Sequence, residues 1–525
     1  MLKKFPQLAR FKSAESLLFL TIFACSVYFS EIAYQTSNYT SRLFLTEALV
    51  DHGTFRLDAY EATLGVDGAV YQDHLYSDKP PGSSLLMLPQ YLLLGKPLKL
   101  LFDTLEIKVA VQNQDYAVQD VLAGWLVQIF SLALYSAVGF VALYRILGLL
   151  DVGRPFLLSL LTYFGTLMFA YATFGTGEMF TVPPLLLGLY YLLKSRFSPE
   201  ETSWNSDTPS PIKTVARFGK PVVSAVEPSR IELPIRFTKE DKNYLWAGFW
   251  YGLAFFVTNQ VLLLIGVAAL SLFLAMRKMQ PLILFLLPPF IFALLTMGYN
   301  WLLFDHPLHF PQQYWRQGDP QVVLFGLPNL GKLAEMLFLP QKGLLFYSPY
   351  LVLALPGLYY LYRRVAGEKR YRESVVLLLG GSFLAYFIFY FFNLGWAGGA
   401  DFGFRYIVVA LPFLAVPAAV WLDKRPLNPW VWLLIIWSIA LCSFGAITDP
   451  EVLTGVPNPL LHYHWPFFLN RATNNVPNLL LEQLFQVDNW LLRLSTTLLF
   501  LAVLAAILWR TRPIWQGNES PTACS

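Results

Sequence analysis

Between Ser37 and Gly82 the chain carries five aspartates, Asp51, Asp58, Asp67, Asp73 and Asp78, and ends in Asp78-Lys79-Pro80-Pro81-Gly82. A positioned carboxylate can take the proton of an attacking hydroxyl, and Asp58 and Asp78 are the candidates here. The two prolines restrict the backbone before them and hold Lys79 extended. An ammonium fixed at a membrane surface suits a phosphate. A helix start with a snorkelling lysine explains the same residues, and on chemistry alone the two readings weigh equally. Asp67-Gly68, between Val66 and Val70-Tyr71, reads as a hairpin turn, which weighs at least as much as a catalytic role for Asp67. The stretch 40–50 has helical periodicity with Gly53 as its stop, so Asp51-His52 reads as a solvated helix end. Asp73-His74 is half of a metal site at best, because nothing supplies the other ligands at a recognisable spacing. No metal ligand is assigned and no cofactor is certain; a divalent metal is the lesser reading.

A second group lies far along the chain. Leu394 to Arg405 holds four glycines with Trp396, Asp401 and Arg405. Glycines allow tight turns and a close approach of ligand to backbone. Trp396 can stack on a sugar ring and Asp401 can bind its hydroxyls. An interface-anchored turn with a belt tryptophan and a local Asp401–Arg405 salt bridge is the plainer account. Asp and Arg at a membrane mouth are costly without a use, which tips the balance toward function. The aromatic and amide residues of Phe304 to Gly343 fit an interfacial amphipathic helix better than a headgroup site. His462 and His464, two apart, are weak as metal ligands, and Asn259 and Gln260 read as caps of a helix break.

The elements that must position these residues follow from composition. Of 525 residues, 56% are hydrophobic and 14% charged, with a mean hydropathy of +0.48. Soluble domains carry about 25% charged residues, so one large soluble domain is excluded. Three scattered cysteines, Cys25, Cys442 and Cys524, exclude a disulfide scaffold. A net charge of +4 gives no reason to expect nucleic acid. The expected fold is therefore an all-α polytopic membrane protein. Apolar stretches of spanning length lie at about 16–34, 119–147, 155–174, 180–195, 281–303, 344–362, 373–393, 405–421, 429–447 and 491–509. The stretch 244–276 is broken by Thr258-Asn259-Gln260 into two more, for about twelve spans. The first reads as a retained anchor, since no cleavage pattern follows it.

Charge sets the orientation. With twelve spans, about 26 of the 38 basic residues fall inside. Both termini are then cytoplasmic, and if the source is bacterial the membrane is the inner one. Ser83–Leu101, apolar but carrying Pro89, Gly95, Lys96, Pro97 and Lys99, is left as an interfacial or re-entrant helix on the outer face. The alternative, in which it spans and 244–276 is one long helix, puts the basic loop 194–243 outside. Within one transmembrane domain over 1–525, the outer segments are 35–118, with the interfacial helix at 83–101, then 304–342 and 450–490. They hold about 21 of the 34 acidic residues. The cytoplasmic segment 196–243, rich in Ser, Thr, Pro and mixed charge, is expected to be disordered. There is no internal repeat and no P-loop, so chemistry is expected outside and without ATP as direct energy source.

A first span, an acidic outer loop with an Arg42-bearing helix, and Lys79-Pro80-Pro81 opening an apolar interfacial helix together resemble the GT-C membrane glycosyltransferases. The branch is that of the protein O-mannosyltransferases and the lipid A aminoarabinose transferase. The resemblance implies a polyprenyl-phosphate sugar donor, a lipid, glycan or protein acceptor, and work on the extracytoplasmic face. It implies that Lys79 contacts the donor phosphate. It also implies that Arg405-Tyr406, followed by Leu411-Pro412, sets a guanidinium at the outer mouth, and that Glu178, after Gly175-Thr176-Gly177, is the acidic residue of the third outer end. Asn38 departs from the pattern, because it falls where the family has its acidic pair and an amide cannot act as base. Two functions follow as expectations. One is an inverting transferase with Asp58, Asp78 or Glu178 as base and Asn38, Arg42, Lys79, Trp396, Asp401, Arg405 and Tyr406 binding substrate. The other is a non-enzymatic transporter or flippase of a lipid-linked saccharide. Twelve spans and the Thr258 break favour the second; the missing repeat and the polar outer loops oppose it.

Overall fold

The computed structural model describes residues 6–31, 36–104, 107–111, 114–197, 238–316, 325–327, 329–364, 369–399, 401–452, 455–475, 478, 482 and 489–516. The segment 198–237, the greater part of the insert expected to be disordered, lies outside them.

The architecture is helical, as the composition requires. Six helices are long and apolar enough to cross a membrane: Val118–Leu149, Met279–Phe304, Lys369–Phe392, Arg405–Lys424, Pro429–Thr448 and Trp490–Arg510. The chain is an integral membrane protein on that ground. The other spans expected from the sequence coincide with helices that are shorter or less apolar, among them α1 (Pro6–Tyr28), α6 (Pro155–Phe164), α8 (Gly177–Phe197), α9 (Lys239–Val257) and α10 (Val261–Met276). Of these, α8 is mostly buried, whereas α10 exposes Leu262, Leu270, Phe273 and Leu274 along one side.

Between α1 and the long helix α5 (Val118–Leu149) lies the segment expected to be the first outer one. It begins with α2 (Ser37–Glu47), capped by the Thr36 hydroxyl on the Tyr39 N–H. A wider turn, Ala48–His52, extends α2 to Gly53, whose φ of 63° closes the helix as the glycine stop predicts. A hairpin follows, β1 (Gly68–Tyr71) on β2 (His74–Ser77), with Ala69 opposite Tyr76. Its turn is not Asp67-Gly68. Gln72 and Asp73 occupy it, with φ of 49° and 61°. A two-residue hairpin turn of this hand needs positive φ at both positions. Asp67 is thereby freed from the turn and lies before the strand.

After Pro81 the chain forms α3 (Gly82–Gln90), a wide turn at Tyr91–Gly95 and α4 (Lys96–Leu101) without a break. This is the Ser83–Leu101 segment. It runs along α2, with Lys96 3.0 Å from Asp51 and Lys99 2.8 Å from Glu47. Asp51 and His52 are exposed, as a solvated helix end requires, and Asp51 also accepts the Tyr91 hydroxyl at 2.5 Å. A second hairpin pairs β3 (Lys108–Val111) with β4 (Gln114–Ala117).

The Thr258 break is a tight turn between two separate helices. Thr258 bonds Thr181 near the start of α8 at 2.7 Å. A Cβ on Gly82 would lie 2.4 Å from the Phe256 carbonyl oxygen, so the start of α3 rests against the end of α9. The feature that most suggested a transporter is thus a connection at the end of the bundle that carries the outer segment.

Candidate functional site

Three parts of the chain meet around the start of α8. The first is α2, which approaches the elbow Gly175-Thr176-Gly177 so closely that side chains there are excluded. A Cβ on Gly175 would lie 2.2 Å from the Tyr39 ring, and one on Gly177 would lie 2.3 Å from Arg42 Nη2. The Arg42 guanidinium is laid over the backbone just before Glu178. It donates to Ser83 Oγ at 3.1 Å, which ties α2 to α3. Burial lowers its affinity for the proton, while the nearby charges of Glu178, Asp78 and Asp67 raise it and Arg405 lowers it again. Those four groups therefore surround one buried guanidinium. None of the carboxylates forms an ion pair with Arg42 among the described residues.

The second part is the run Ser77-Asp78-Lys79. Lys79 Nζ lies 2.6 Å from Asp78 Oδ2 and 3.4 Å from Asp67 Oδ2. Asp78 Oδ1 accepts from Ser41 at 3.2 Å, and Ser41 shares a hydrogen bond of 2.8 Å with Ser77. Burial pushes the Asp78 carboxyl up, with Lys79 opposing it. For Lys79, burial works to lower the ammonium, but Asp78 and Asp67 prevail and raise it. At neutral pH Lys79 is a charged ammonium between two acids. Asp67, read from the sequence as a turn residue, is a member of the site. Its signal was only its acidity; the hairpin that brings it to Lys79 depends on where the turn falls.

The third part is the Leu394–Arg405 connection and the opening of the span after it. Arg405 Nη1 donates to Asp401 at 2.9 Å, its Nε lies 3.3 Å from Glu178 Oε1, and its Nη2 donates to the Tyr406 hydroxyl at 2.9 Å. Tyr406 stacks on Tyr390 with ring centroids 4.9 Å apart. Asp401 also accepts the Gly399 N–H at 3.0 Å, in a turn that needs a φ of 70° at Gly398. Lys342, from the Phe304–Gly343 stretch read as an interfacial helix, donates to the Asp401 carbonyl at 2.8 Å. Burial pulls its ammonium down to about 8.

Asp78, Lys79, Glu178, Asp401, Arg405, Tyr406 and Arg42 thus belong to one charged cluster. Asn38 lies one turn before Arg42 on the same face of α2, buried, with its amide oxygen unpartnered. Two candidates do not join. Asp58 accepts the Leu75 N–H at 2.7 Å and faces His74 Nδ1 at 2.9 Å, pinning the hairpin from a largely solvated position. Trp396 is 8% exposed, with Lys332 5.8 Å over its ring and Phe404 against it edge-on at 5.4 Å, so little of the ring is open to a sugar.

Unpartnered buried atoms mark the cluster: among the described residues, Asn38 Oδ1, Arg42 Nε, Thr176 Oγ1 and Glu178 Oε2 lack hydrogen bonds. A buried polar atom without a partner costs about 1–3 kcal/mol, more when charged, and several together point to a polar ligand. Among the described residues no three His, Cys, Asp or Glu side chains are grouped to hold a metal ion. Asp67 and Asp78 share Lys79, and Asp401 and Glu178 share Arg405.

No family model matches the chain, and no curated protein matches it in sequence. In overall structure it is similar to ArnT from Cupriavidus metallidurans bound to undecaprenyl phosphate, at 13% identity and a TM-score of 0.45, over 98% of this chain and 76% of that one. It is also similar to the oligosaccharyltransferase AglB from Archaeoglobus fulgidus, in complex with an inhibitory peptide and a dolichol-phosphate. There the identity is 12% and the TM-score 0.40, over 85% of this chain and 56% of that one.

Proposed function

We propose that the chain is a GT-C-type membrane glycosyltransferase that moves a sugar from a polyprenyl-phosphate donor to an acceptor hydroxyl at the face bearing the outer segment. The observation that carries this reading is the set of unpartnered buried polar atoms around Arg42 and Glu178. A phosphate joined to a sugar offers such a set both acceptors for the guanidinium nitrogens and donors for the carboxylate and amide oxygens.

In this reading Arg42 is the cation free to meet the phosphate, since Lys79 is held by Asp78 and Asp67 and Arg405 by Asp401 and Glu178. Lys79 and Arg405 add their field from either side. Glu178 is the base in preference to Asp78. Both Asp78 oxygens are engaged, by Ser41 and Lys79, whereas Glu178 Oε2 is open. Glu178 takes the acceptor hydroxyl's proton as the oxygen attacks the anomeric carbon. The bond from that carbon to the phosphate oxygen breaks on the opposite side, and its electron pair leaves on the phosphate. Configuration inverts, and the growing phosphate charge is met by cations already in place. Asn38, near Arg42, is suited to hold a sugar hydroxyl and has no proton-accepting role.

The test is release of polyprenyl phosphate by the purified chain from a panel of polyprenyl-phosphate sugars. Turnover with one donor, lost in Arg42→Ala and Lys79→Ala, is expected. No turnover with any donor, together with transbilayer movement of a lipid-linked saccharide, would falsify the enzymatic reading and restore the transporter.

A further inference from the structure

At the end of the bundle opposite the candidate site, α6 and the helix α15 (Pro429–Thr448) stand apart and leave a groove of about 300 Å³. Its walls are Leu157, Leu161 and Phe164 on one side and Trp432, Ile435 and Ile439 on the other, with Leu422 at its back. From Leu157 to Phe164 it runs about 10 Å along the helix axis. All its lining residues are apolar except Arg154, which closes one end.

That end is basic and rigid. The backbone N–H of Arg154 donates to Asp423 Oδ1 at 3.1 Å, and its Nη2 donates to the Leu422 carbonyl at 2.9 Å. Its Nε also lies 3.6 Å from Asp423 Oδ1, so the guanidinium is fixed at the mouth while its side chain stays 45% exposed. Lys424 donates to the Asp151 carbonyl at 2.8 Å and pairs with Asp423 at 2.8 Å, and Arg364 pairs with the Asp151 carboxylate. Arg425 is exposed beside them. Four cations, Arg154, Arg364, Lys424 and Arg425, therefore face two acids, Asp151 and Asp423, a net charge of +2. Trp430, 75% exposed, and Trp432, 49% exposed, flank the mouth as interface residues do.

We propose that this groove binds one anionic glycerophospholipid, with an acyl chain between α6 and α15 and its phosphate against Arg154 and Arg425. An apolar slot excludes a soluble anion, and the surplus of positive charge at its mouth disfavours a zwitterionic headgroup. Basic pockets between spanning helices favour anionic lipid in this way. The site is separate from the transfer chemistry and does not depend on it.

The experiment is native mass spectrometry of the full chain released from detergent, with equimolar phosphatidylglycerol and phosphatidylcholine of the same acyl chains. The wild type is expected to retain one tightly held lipid, with about a five- to tenfold preference for phosphatidylglycerol. Leu157→Trp, which fills the slot from its exposed side, should lose that lipid while unfolding at the wild-type temperature. Arg425→Gln should keep a bound lipid but lose most of the preference. Equal retention of both lipids by the wild type, or wild-type retention by Leu157→Trp, overturns the groove as a site. A preference unchanged in both Arg425→Gln and Arg154→Gln overturns the headgroup contact.

Discussion

Two charged regions lie on opposite sides of α2, and they are built on different terms. Along α4, Lys96 pairs with Asp51, and Lys99 sits 2.8 Å from Glu47 and 3.1 Å from Asp120. Every charge there has its opposite, and the strip fastens two helices together. Toward α8, Arg42 has Ser83 but no carboxylate pair, and Glu178 keeps one oxygen open. The number of charges is similar; what differs is whether they satisfy one another. Buried ion pairs are weak as evidence for function. Buried polar atoms left open are stronger, because the fold bears their cost until a ligand arrives.

The sharpest way to break this contrast is to truncate one cation on each side. Arg42→Ala should lower donor turnover about a thousandfold with the unfolding temperature near wild type, because a transition-state contact is removed and no paired partner is stranded. An equal loss in stability and activity would make Arg42 a structural residue. Lys99→Ala should do the reverse. It leaves Glu47 buried and unpaired at a cost of about 3 kcal/mol, read by chemical denaturation, with turnover per folded molecule within twofold of wild type. Glu178→Gln should slow transfer about a hundredfold while donor binding persists, since only the proton acceptor is lost. Activity restored by external carboxylate buffers would support that role.

Smaller effects sharpen the boundary of the site. Asp449 lies just beyond the span Pro429–Thr448, and burial pushes its carboxyl up to about 6 against the hydrogen bond from Tyr463, the Glu451 N–H and the charge of Arg471. A raised value means that the folded chain holds this proton more tightly than the unfolded chain does. The stabilisation is full at pH below about 4 and fades as pH rises through about 6. Thermal unfolding should therefore fall more steeply between pH 5 and pH 7.5 in the wild type than in Asp449→Asn, by about 2 kcal/mol at most. Asp58→Asn is expected to change turnover less than about threefold, because its carboxylate serves the hairpin from outside the cluster.

Much of this organisation can be read from the chain before any coordinates. The low charge content leads to a membrane bundle, Asp401 and Arg405 stand out because charge at a membrane mouth is expensive, Lys79 stands out by the two prolines after it, and Glu178 only through the family resemblance. What stays hidden depends on register and on helix facing. Asp67-Gly68 is the stronger turn signal by composition, yet Gln72-Asp73 takes the turn, and only that register delivers Asp67 to Lys79. Ser41 and Ser83 are unremarkable as letters; their roles follow from α2 lying between β2 and α3. Asp51 is exposed as expected, but its partners Lys96 and Tyr91, forty and more residues later, cannot be assigned to it by spacing. Helices such as α10, at 16 residues, are short for a bilayer and are marked more by their apolar composition than by length.

The seat of α2 on Gly175 and Gly177 has a bearing on how the protein tolerates genetic variation. Neither residue carries chemistry, yet a methyl group at either would run into Tyr39 or Arg42. In a saturation library scored for activity, alanine at these two glycines should be depleted as strongly as changes to the charged residues. Alanine at Gly148 or Gly266, where a Cβ meets nothing within 4 Å, should pass unnoticed.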